Sequence, residues 1–237
     1  MQCNICEGTA FENMGIRKNV RCSTCNSLER TRLMWMYLQR LDLSSNAKIL
    51  HIAPEKGLSK KLRAVVGSGY VSADLNPIQY PWADNCVPID LCNLDAWPTK
   101  QFDLILHSHV LEHTTCNIAY TLWHLHRMLK DNGTHLAVIP FESGFYDETF
   151  KDIGDTERTR RFGQHDHVRK FGVSDVDRCL GKLLNLSKHI DAATIFSSNE
   201  LDQANIPISH RTGLNMSTVL LFHRTDMLLL GSLTDRS

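Results

Sequence analysis

The sequence predicts an α/β protein with a Rossmann-like sheet, preceded by a small cysteine-rich ribbon. Residues 48–74 follow a strand–loop–helix–strand pattern, which is the first half of such a sheet. Apolar segments at 102–107 and 134–140 suit further parallel strands that are buried on both faces. Two CxxC pairs near the N-terminus have the spacing of a metal ribbon.

The composition is that of a globular protein without a net electrostatic preference. The 237 residues are 42% hydrophobic, and 26 Lys and Arg balance 26 Asp and Glu. The overall charge therefore favours neither nucleic acid nor a membrane surface. No apolar run approaches the roughly 20 residues of a membrane helix, and Met1-Gln2-Cys3 does not begin a secretory signal. We expect a cytoplasmic protein with a ribbon (1–26), a connecting helix (27–46) and a sheet domain (47–230) that carries an insertion (142–172).

The four N-terminal cysteines form two pairs separated by 15 residues. Cys3 and Cys6 make the first pair, and Cys22 and Cys25 make the second. Four thiolates at this spacing suit tetrahedral zinc, and paired cysteines in a cytosolic chain indicate metal binding rather than disulfides. A redox pair and a small iron–sulfur site are the alternatives.

A basic patch lies between the two cysteine pairs, and a helix follows them. Arg17, Lys18 and Arg21 would either contact RNA or remain solvated. Ser27 can cap a helix that runs to about Arg40, because apolar residues recur at helical spacing in this stretch. We expect this helix to pack the ribbon onto the sheet.

The strand–loop–helix–strand unit predicts a nucleoside site. Its first strand ends at a loop in which Gly57 is the only glycine, and its second strand ends on Asp74. A carboxylate at that tip can accept hydrogen bonds from both ribose hydroxyls. Glu55 in the loop would repel a pyrophosphate, so the loop suits a cofactor without phosphates. The alternative is an ordinary βαβ unit with a solvated Asp74.

The second half of the predicted sheet ends in a histidine-rich segment. The strand at 102–107 runs directly into the sequence Ser-His-Val-Leu-Glu-His. The other expected elements are a short strand (86–90) ending on Asp90, a helix (117–130), a turn (131–133) and a fifth strand (134–140).

These segments together resemble class I S-adenosylmethionine-dependent methyltransferases. The resemblance rests on LHIAPE, YVSAD, PID, FDLILHSHVLEH and the helix–KDNG–strand that follows, over residues 47–141. The ribbon, the CNSLERTRLMWMYL helix and FGQHDHVRKFG extend it to a bacterial group of zinc-ribbon methyltransferases. The resemblance implies S-adenosylmethionine as cofactor. It also implies a set of binding residues: Ala53, Glu55 and Gly57 for the methionine part, Asp74 for the ribose, Asp90 and Leu91 for the adenine, and His107 and Ser108 beneath the methionine.

The chain departs from the family pattern in its first loop. His51 stands where the family usually has an acid, and Ala53 and Glu55 replace two glycines. The family location of the site is retained, but the contacts to the methionine part do not follow from the motif.

Residues 142–172 lack periodicity, which is typical of a functional or mobile insertion. Their last part, RFGQHDHVRKFG, is expected to face the methyl group. The candidate substrate-binding residues are Gln164, Asp166 and Arg169, and the candidate catalytic bases are His109, His113 and His167. Asp166 is expected to orient His167, and Arg169 to bind a carboxylate or phosphate of the acceptor.

The C-terminal part is expected to complete the sheet. Ser174 caps a predicted helix, and the segments at 189–196 and 217–223 are predicted to form a closing hairpin. The polar loop at 197–215 is expected to reach the cofactor end of the sheet. Residues from about 231 are expected to be disordered.

Three functions fit these features. The first is methyl transfer to a small-molecule or carrier-linked acceptor, which the neutral charge favours. The second is an RNA or protein methyltransferase that grips a macromolecule with the ribbon, and the third is a non-catalytic nucleoside-binding module. The acceptor atom and the oligomeric state do not follow from the sequence.

Overall fold

The computed structural model describes residues 1–186 and 190–231. Its centre is a six-stranded sheet whose first five strands along the chain are parallel. The strands are β1 (Phe11–Met14), β2 (Arg17–Cys22), β3 (Ile49–Ile52), β4 (Tyr70–Asp74), β5 (Val87–Pro88), β6 (Phe102–Ser108), β7 (Leu129–Val138), β8 (Phe141–Glu142), β9 (Asp147–Glu148), β10 (Arg169–Gly172) and β11 (Val219–His223). The helices are α1 (Glu29–Leu38), α2 (Lys56–Val66), α3 (Ile118–Met128), α4 (Gly154–Phe162), α5 (Ala192–Ile195), α6 (Ser198–Gln203) and α7 (Leu228–Gly231).

The main sheet has the order β11-β7-β6-β3-β4-β5, with β11 antiparallel to β7. Reversal of the strand order beside β3 creates a crevice at the carboxyl ends, where ligands bind in folds of this type. The predicted α/β sheet with an N-terminal cysteine ribbon is therefore confirmed.

Both faces of the sheet are covered by apolar residues. Along β6, Leu104 and Leu106 pack with α1 and α2, whereas Ile105 packs with α3 on the other face. This division follows from the alternation of side chains along a strand. Between the strands, α2 ends at Gly67 with a φ of 53°, and β4 then leads to Asp74 at its tip. The predicted strand–helix–strand unit is confirmed.

Two predicted boundaries differ from the structure. The strand expected over 86–90 is only Val87–Pro88, because two residues of β4 pair with it. The turn expected at 131–133 is part of β7, where the pairing register with β6 shifts between Phe102 and Leu104. A local irregularity thus accommodates the Asp-Asn-Gly sequence.

Residues 142–172 form regular secondary structure, although their sequence lacks periodicity and was interpreted as a functional or mobile insertion. They contribute most of a small sheet with the order β8-β10-β9, together with α4. The strands are two to four residues long, which is too short to give a recognisable alternation in the sequence.

The C-terminal predictions are wrong in two places. After Ser174 the chain forms turns and a short 3₁₀ helix at Leu180–Lys182, because the Asp175 carboxylate accepts a hydrogen bond from Tyr146 N (2.8 Å). Within 190–196 the chain forms α5 instead of a strand, and the ring of Phe196 packs edge-on against Tyr37. In the described part of the chain, β11 has no hairpin partner and pairs only with β7. His189 and the C-terminal stretch expected to be disordered (232–237) lie outside the described residues.

The ribbon is attached through α1. Arg32 is fully buried and donates hydrogen bonds to carbonyls of the ribbon side (Val20, Ser27) and to those of Ala204 and Asn205 after α6. The loop expected at 197–215 therefore contains α6 and packs against α1 and the ribbon. None of the described helices is long and apolar enough to span a membrane.

Candidate active site

A cavity of about 340 Å³ opens at the carboxyl ends of the parallel strands. Its walls come from the residues that follow four of these strands: Ala53 after β3, Asp74 at the end of β4, Asp90 after β5 and His109 after β6. Their convergence follows from the topology, since parallel strands end at the same edge. The cavity has the size and position of a small-molecule site in folds of this type.

The two predicted acids lie at the rim of this cavity, each in a fixed orientation. Asp74 Oδ1 accepts a hydrogen bond from Asn76 N (2.7 Å), and Asp90 Oδ1 accepts one from Cys92 N (2.8 Å). These local turns hold the carboxylates at the ends of their strands. Tyr80 lies beside Asp74, and burial together with that negative charge raises the pKa of Tyr80 above its ordinary value.

The backbone is strained at two positions of the cavity wall. Ala53 has a φ of 51° and His109 a φ of 56°. Residues other than glycine adopt this left-handed conformation at a cost, and such outliers concentrate at functional sites. Both follow directly on central strands, so each turns the chain sharply at the cavity edge.

A second cavity of about 350 Å³ adjoins the first. The two share a wall formed by Ala53, Tyr80, His109 and His113. The remaining residues of the second cavity are Arg30, Pro54, Glu55, Trp82, Ser108, Glu112 and Gln164. A molecule in each cavity would therefore meet the other at this shared wall.

A cluster of acid and imidazole groups stands beside the shared wall. One ligand atom from each of Glu112, His113 and His167 lies within 4.8 Å of the others. Burial raises the pKa of the Glu112 carboxyl to about 8. His109 also contacts this group, with its Nδ1 3.6 Å from Glu112 Oε1, while its Nε2 hydrogen-bonds to the Met216 carbonyl (2.8 Å).

Arg169 supports the turn that carries Glu112 and His113. It is fully buried, and each of its guanidinium nitrogens donates a hydrogen bond within the protein. The acceptors are Glu148 Oε1, the carbonyls of Leu111 and Cys116, and Thr114 Oγ1. The prediction that Arg169 binds the acceptor does not fit this geometry. Its role here is to fix the turn that carries Glu112 and His113.

The other substrate-side predictions fit in part. Gln164 lines the second cavity, and Asp166 lines the first. Asp166 Oδ2 lies 3.2 Å from His113 Nδ1, so Asp166 orients His113. The sequence had predicted that Asp166 would orient His167. The Nδ1 of His167 hydrogen-bonds instead to the Phe162 carbonyl (3.0 Å).

Four of the residues expected to bind the methionine part lie elsewhere. A side chain at Gly57 would meet Ile5 of the ribbon at 2.8 Å, so this glycine allows close packing of ribbon and α2. His107 is buried within the sheet, and Ser108 lines the second cavity rather than the first. Glu55 hydrogen-bonds to His51 (2.9 Å) and also lines the second cavity. Ala53 and Leu91 line the first cavity, and their contacts with a cofactor stay a prediction.

The sequence analysis missed several residues at the site. Glu112 lay within the VLEH motif but was not singled out, and Arg30 of α1 reaches the second cavity from a helix that was interpreted only as packing. The structure also joins Cys92, at the rim of the first cavity, to Cys116 in a disulfide. These cysteines are 24 residues apart and carry no pairing signal.

The four N-terminal cysteines are arranged as a metal site. The Sγ atoms of Cys3 and Cys25 lie 3.6 Å apart, and those of Cys6 and Cys22 lie 3.5 Å apart. Tetrahedral zinc with bonds of about 2.3 Å would separate its sulfur ligands by about 3.8 Å. The cluster therefore fits zinc. Ser27, which was expected to cap α1, instead places its hydroxyl 3.2 Å from two of these sulfurs.

A second group of histidines lies where β6 and β7 pack against α3. His107 Nε2 is 3.0 Å from His135 Nε2, and His135 Nδ1 is 3.1 Å from His126 Nε2. Burial lowers the pKa of His107 to about 3 and that of His126 to about 4, and it lowers the pKa of His135 well below its ordinary value. These rings are neutral at physiological pH.

Comparison with known proteins supports the fold. No protein-family model and no curated protein matches the chain. One solved chain, from the complex between the Haloferax volcanii Trm112 methyltransferase activator and a methyltransferase, is 14% identical with a TM-score of 0.52, over 83% of this chain and 91% of that one. A SAM-dependent methyltransferase from Archaeoglobus fulgidus is 13% identical with a TM-score of 0.46, over 82% and 94% of the two chains. The chain therefore has the Rossmann-like fold found in methyltransferases, with a four-cysteine ribbon at its N-terminus.

Proposed function

We propose that the protein transfers a methyl group from S-adenosylmethionine to a small-molecule or carrier-linked acceptor. The observation that carries this proposal is the pair of cavities at the carboxyl ends of the strands, which meet at one shared wall. One cavity carries the two acids expected for a nucleoside, and the other is lined by polar side chains suited to an acceptor. The fold, which methyltransferases share, supports the same conclusion.

The first cavity would hold the cofactor. The ribose hydroxyls would donate to Asp74, the adenine would lie by Asp90 and Leu91, and the methionine part would lie along Ala53. This orientation directs the sulfonium towards the shared wall at His109. The other predicted methionine contacts (Glu55, Gly57, His107 and Ser108) are not part of this proposal, because they do not line the first cavity.

The second cavity would hold the acceptor. In the transfer, an acceptor heteroatom forms a bond to the methyl carbon while the carbon–sulfur bond breaks, and sulfur keeps the electron pair. Holding the two reactants in line supplies much of the rate. We assign His109, His113 and His167 to this side, with Gln164 as a contact of the acceptor, whereas Asp166 lines the first cavity and acts on this side only through His113.

Calorimetric titration with S-adenosylmethionine and S-adenosylhomocysteine tests the cofactor site. Both should bind, and Asp74→Ala should weaken both by about tenfold or more, because hydrogen bonds to a charged acceptor contribute roughly 1.5–3 kcal/mol each. Asp90→Ala should weaken binding less. Asp42→Ala is the control, since this exposed residue precedes β3 at the opposite end of the sheet. If neither nucleoside binds, the enzyme proposal fails. If the nucleosides bind but no acceptor is methylated, the alternative of a non-catalytic nucleoside-binding module is favoured.

The basic patch of the ribbon gives little support to a nucleic-acid substrate. Arg17 pairs with Glu29, and Arg21 pairs with Glu12 at 2.8 Å. Two of the three cations predicted for RNA contact are therefore neutralised within the protein. A small acceptor, whose binding does not depend on a charged surface, is favoured over a macromolecule.

Filter binding with total RNA at low and moderate salt separates these acceptors. We expect no salt-sensitive binding, whereas an RNA substrate would show an affinity that falls steeply with salt in proportion to the phosphates contacted. Lys18→Ala provides the internal check, because this lysine is exposed. A steep salt dependence that Lys18→Ala reduces would favour the macromolecular alternative.

We also propose that Cys3, Cys6, Cys22 and Cys25 bind one structural zinc. The sulfur–sulfur distances support this, and so short a ribbon has little apolar core of its own. Metal analysis should find one zinc that depends on the ribbon cysteines, and Cys22→Ser should lose that zinc and unfold the ribbon. Cys179→Ser, at a half-buried cysteine outside the cluster, should retain it. Iron in place of zinc, or a folded ribbon without metal, would contradict the proposal.

A further inference from the structure

Glu112, His113 and His167 form a second group of metal-ligand type, separate from the cysteine ribbon. Their ligand atoms lie within 4.8 Å of one another, although the residues come from two distant parts of the chain. Glu112 and His113 belong to the turn after β6, and His167 precedes β10. The backbone hydrogen bond from Val168 N to the Glu112 carbonyl (2.9 Å) brings the two segments together.

Two of the three residues, Glu112 and His167, have buried polar atoms without hydrogen-bond partners among the described residues. Glu112 is 1% exposed, and neither of its carboxylate oxygens has a hydrogen bond within the described residues. His167 is 6% exposed, and its Nε2 is likewise unpartnered in the part of the chain that the structure describes. Burying polar atoms without partners costs about 1–3 kcal/mol each, and more when they are charged. This arrangement would be stabilised by a ligand that satisfies them together.

The Nδ1 atom of each imidazole already has a partner within the protein. His167 Nδ1 hydrogen-bonds to the Phe162 carbonyl at 3.0 Å, which makes this nitrogen the donor and leaves the lone pair on Nε2. His113 Nδ1 lies 3.2 Å from the Asp166 carboxylate, which favours the same tautomer. Metal-binding histidines in proteins are usually held in this way, with the other ring nitrogen donating to a carbonyl or a carboxylate.

We propose that Glu112, His113 and His167 bind a divalent transition-metal cation. One carboxylate and two imidazoles suit Mn²⁺, Fe²⁺, Co²⁺ or Zn²⁺, whereas Mg²⁺ and Ca²⁺ prefer oxygen ligands throughout. Three protein ligands leave coordination positions open. Arg169 makes the site rigid, because its hydrogen bonds to Leu111, Thr114 and Cys116 fix the turn that carries two of the ligands.

The cation would stand where the acceptor is expected. Glu112 and His113 line the second cavity, and His113 also lines the first. A hydroxyl coordinated at an open position loses its proton more readily, which favours an oxygen nucleophile as acceptor. In that reaction the hydroxyl proton passes to solvent, an oxygen–methyl bond forms and the carbon–sulfur bond breaks. This assignment of the acceptor rests on the proposed methyl transfer, whereas the metal site itself does not.

Titration with MnCl₂ of protein that holds a single equivalent of zinc, bound by the four thiolates, tests the site through the electron paramagnetic resonance signal of free Mn²⁺. Mn²⁺ has little affinity for thiolates, so the cysteine ribbon does not interfere. We expect one bound Mn²⁺ per chain, displaced by CoCl₂ without the strong absorption of thiolate-bound cobalt. Glu112→Gln and His167→Ala should each weaken binding by more than about tenfold, the lower bound set by losses of supporting residues at metal sites.

His165→Ala is the matched control, because this exposed histidine lies two residues from His167 but outside the cluster. Thermal unfolding and S-adenosylmethionine titration of the same samples identify any variant that fails to fold, in which case the other variant decides. Absence of Mn²⁺ and Co²⁺ binding in the folded wild type would overturn the proposal, as would binding that both variants retain. Because cofactor binding is measured separately, failure of the metal site is distinguishable from failure of the proposed function.

Discussion

The protein contains two histidine clusters, one between the sheet and α3 and one at the edge of the cavities. In the inner cluster, His135 is hydrogen-bonded at both ring nitrogens, by His107 and by His126. In the outer cluster, Glu112 and His167 present buried atoms that have no hydrogen-bond partner among the described residues, and His107 Nδ1 of the inner cluster shares this feature. The clusters differ instead in place and chemistry, because the inner one is enclosed in the core and contains only imidazoles, whereas the outer one borders the cavities and contains a carboxylate. This difference predicts a structural role for the inner cluster and a functional role for the outer one, and each prediction below tests it.

The largest expected effect is acid destabilisation by the inner cluster. Its three histidines have pKa values lowered by burial, to about 3 for His107, about 4 for His126 and well below 6.5 for His135. The unfolded chain binds protons at these rings below about pH 6.5, and the folded chain does not. The stability that these neutral rings contribute is therefore present above pH 6.5 and is lost as the pH falls, by about 2 kcal/mol at pH 5 for each of His107 and His126.

Urea unfolding between pH 7.5 and pH 5 measures this loss. We expect a free energy of unfolding that is lower at pH 5 by about 4 kcal/mol through His107 and His126, with a further loss through His135. His165→Ala should show the same pH dependence as the wild type, because that ring is exposed. A free energy of unfolding that stays constant down to pH 5 would mean that the inner cluster is not buried in the neutral form.

Removal of the central ring should be the next largest effect. His135→Ala leaves nitrogens of His107 and His126 unpartnered in the core, at about 1–3 kcal/mol each, in addition to the cavity. We expect the free energy of unfolding to fall by about 2–5 kcal/mol at pH 7.5, measured by urea denaturation. S-adenosylmethionine affinity of the folded variant should be unchanged. An unchanged free energy of unfolding would contradict a structural role for the inner cluster.

Truncation in the outer cluster should affect turnover instead. For His167→Ala we expect normal S-adenosylmethionine affinity, with turnover reduced by about 10²-fold or more, the lower end of the contribution of a catalytic group of this kind. A labelled-methyl screen identifies the acceptor, and steady-state kinetics then measure the loss, with His165→Ala as control. Full turnover in His167→Ala would mean that the outer cluster, like the inner one, has only a structural role.

The smallest expected effect concerns the stability of the outer cluster without metal. Glu112→Gln replaces a buried, unpartnered carboxyl, which its raised pKa of about 8 keeps largely neutral at lower pH, by a neutral amide of the same size. We expect the metal-free free energy of unfolding to change by less than about 1 kcal/mol or to increase, measured in the presence of chelator on protein with intact ribbon zinc. A loss comparable to that of His135→Ala would remove the distinction between the two clusters.

The sequence predicted the parts of the fold that have local signals. The apolar runs that became β3 and β6 are visible because parallel strands are buried on both faces, and Asp74 and Asp90 follow from strand ends. The cysteine spacing likewise predicted the ribbon cluster. The position of the cavity at the carboxyl ends of the strands could therefore be inferred from the sequence.

The remaining features depend on contacts between distant residues. Arg169 was expected to bind substrate, but its guanidinium is enclosed by residues 111–116 and by Glu148, which no local pattern reveals. The small sheet of β8 to β10 has strands too short for a periodic signal. The segment at 190–196 has the composition of a strand, but Phe196 is drawn against Tyr37 on α1 and the chain turns into α5. Tertiary packing decided each of these cases.

The most direct test of the account is a crystal structure of the protein with S-adenosylhomocysteine. We expect the nucleoside in the first cavity, with its ribose hydroxyls on Asp74, its adenine beside Asp90 and Leu91, and its sulfur directed at the wall formed by His109 and His113. The outer cluster would then face the position of the transferred methyl group. A nucleoside bound elsewhere, or one whose sulfur points away from that wall, would contradict the account.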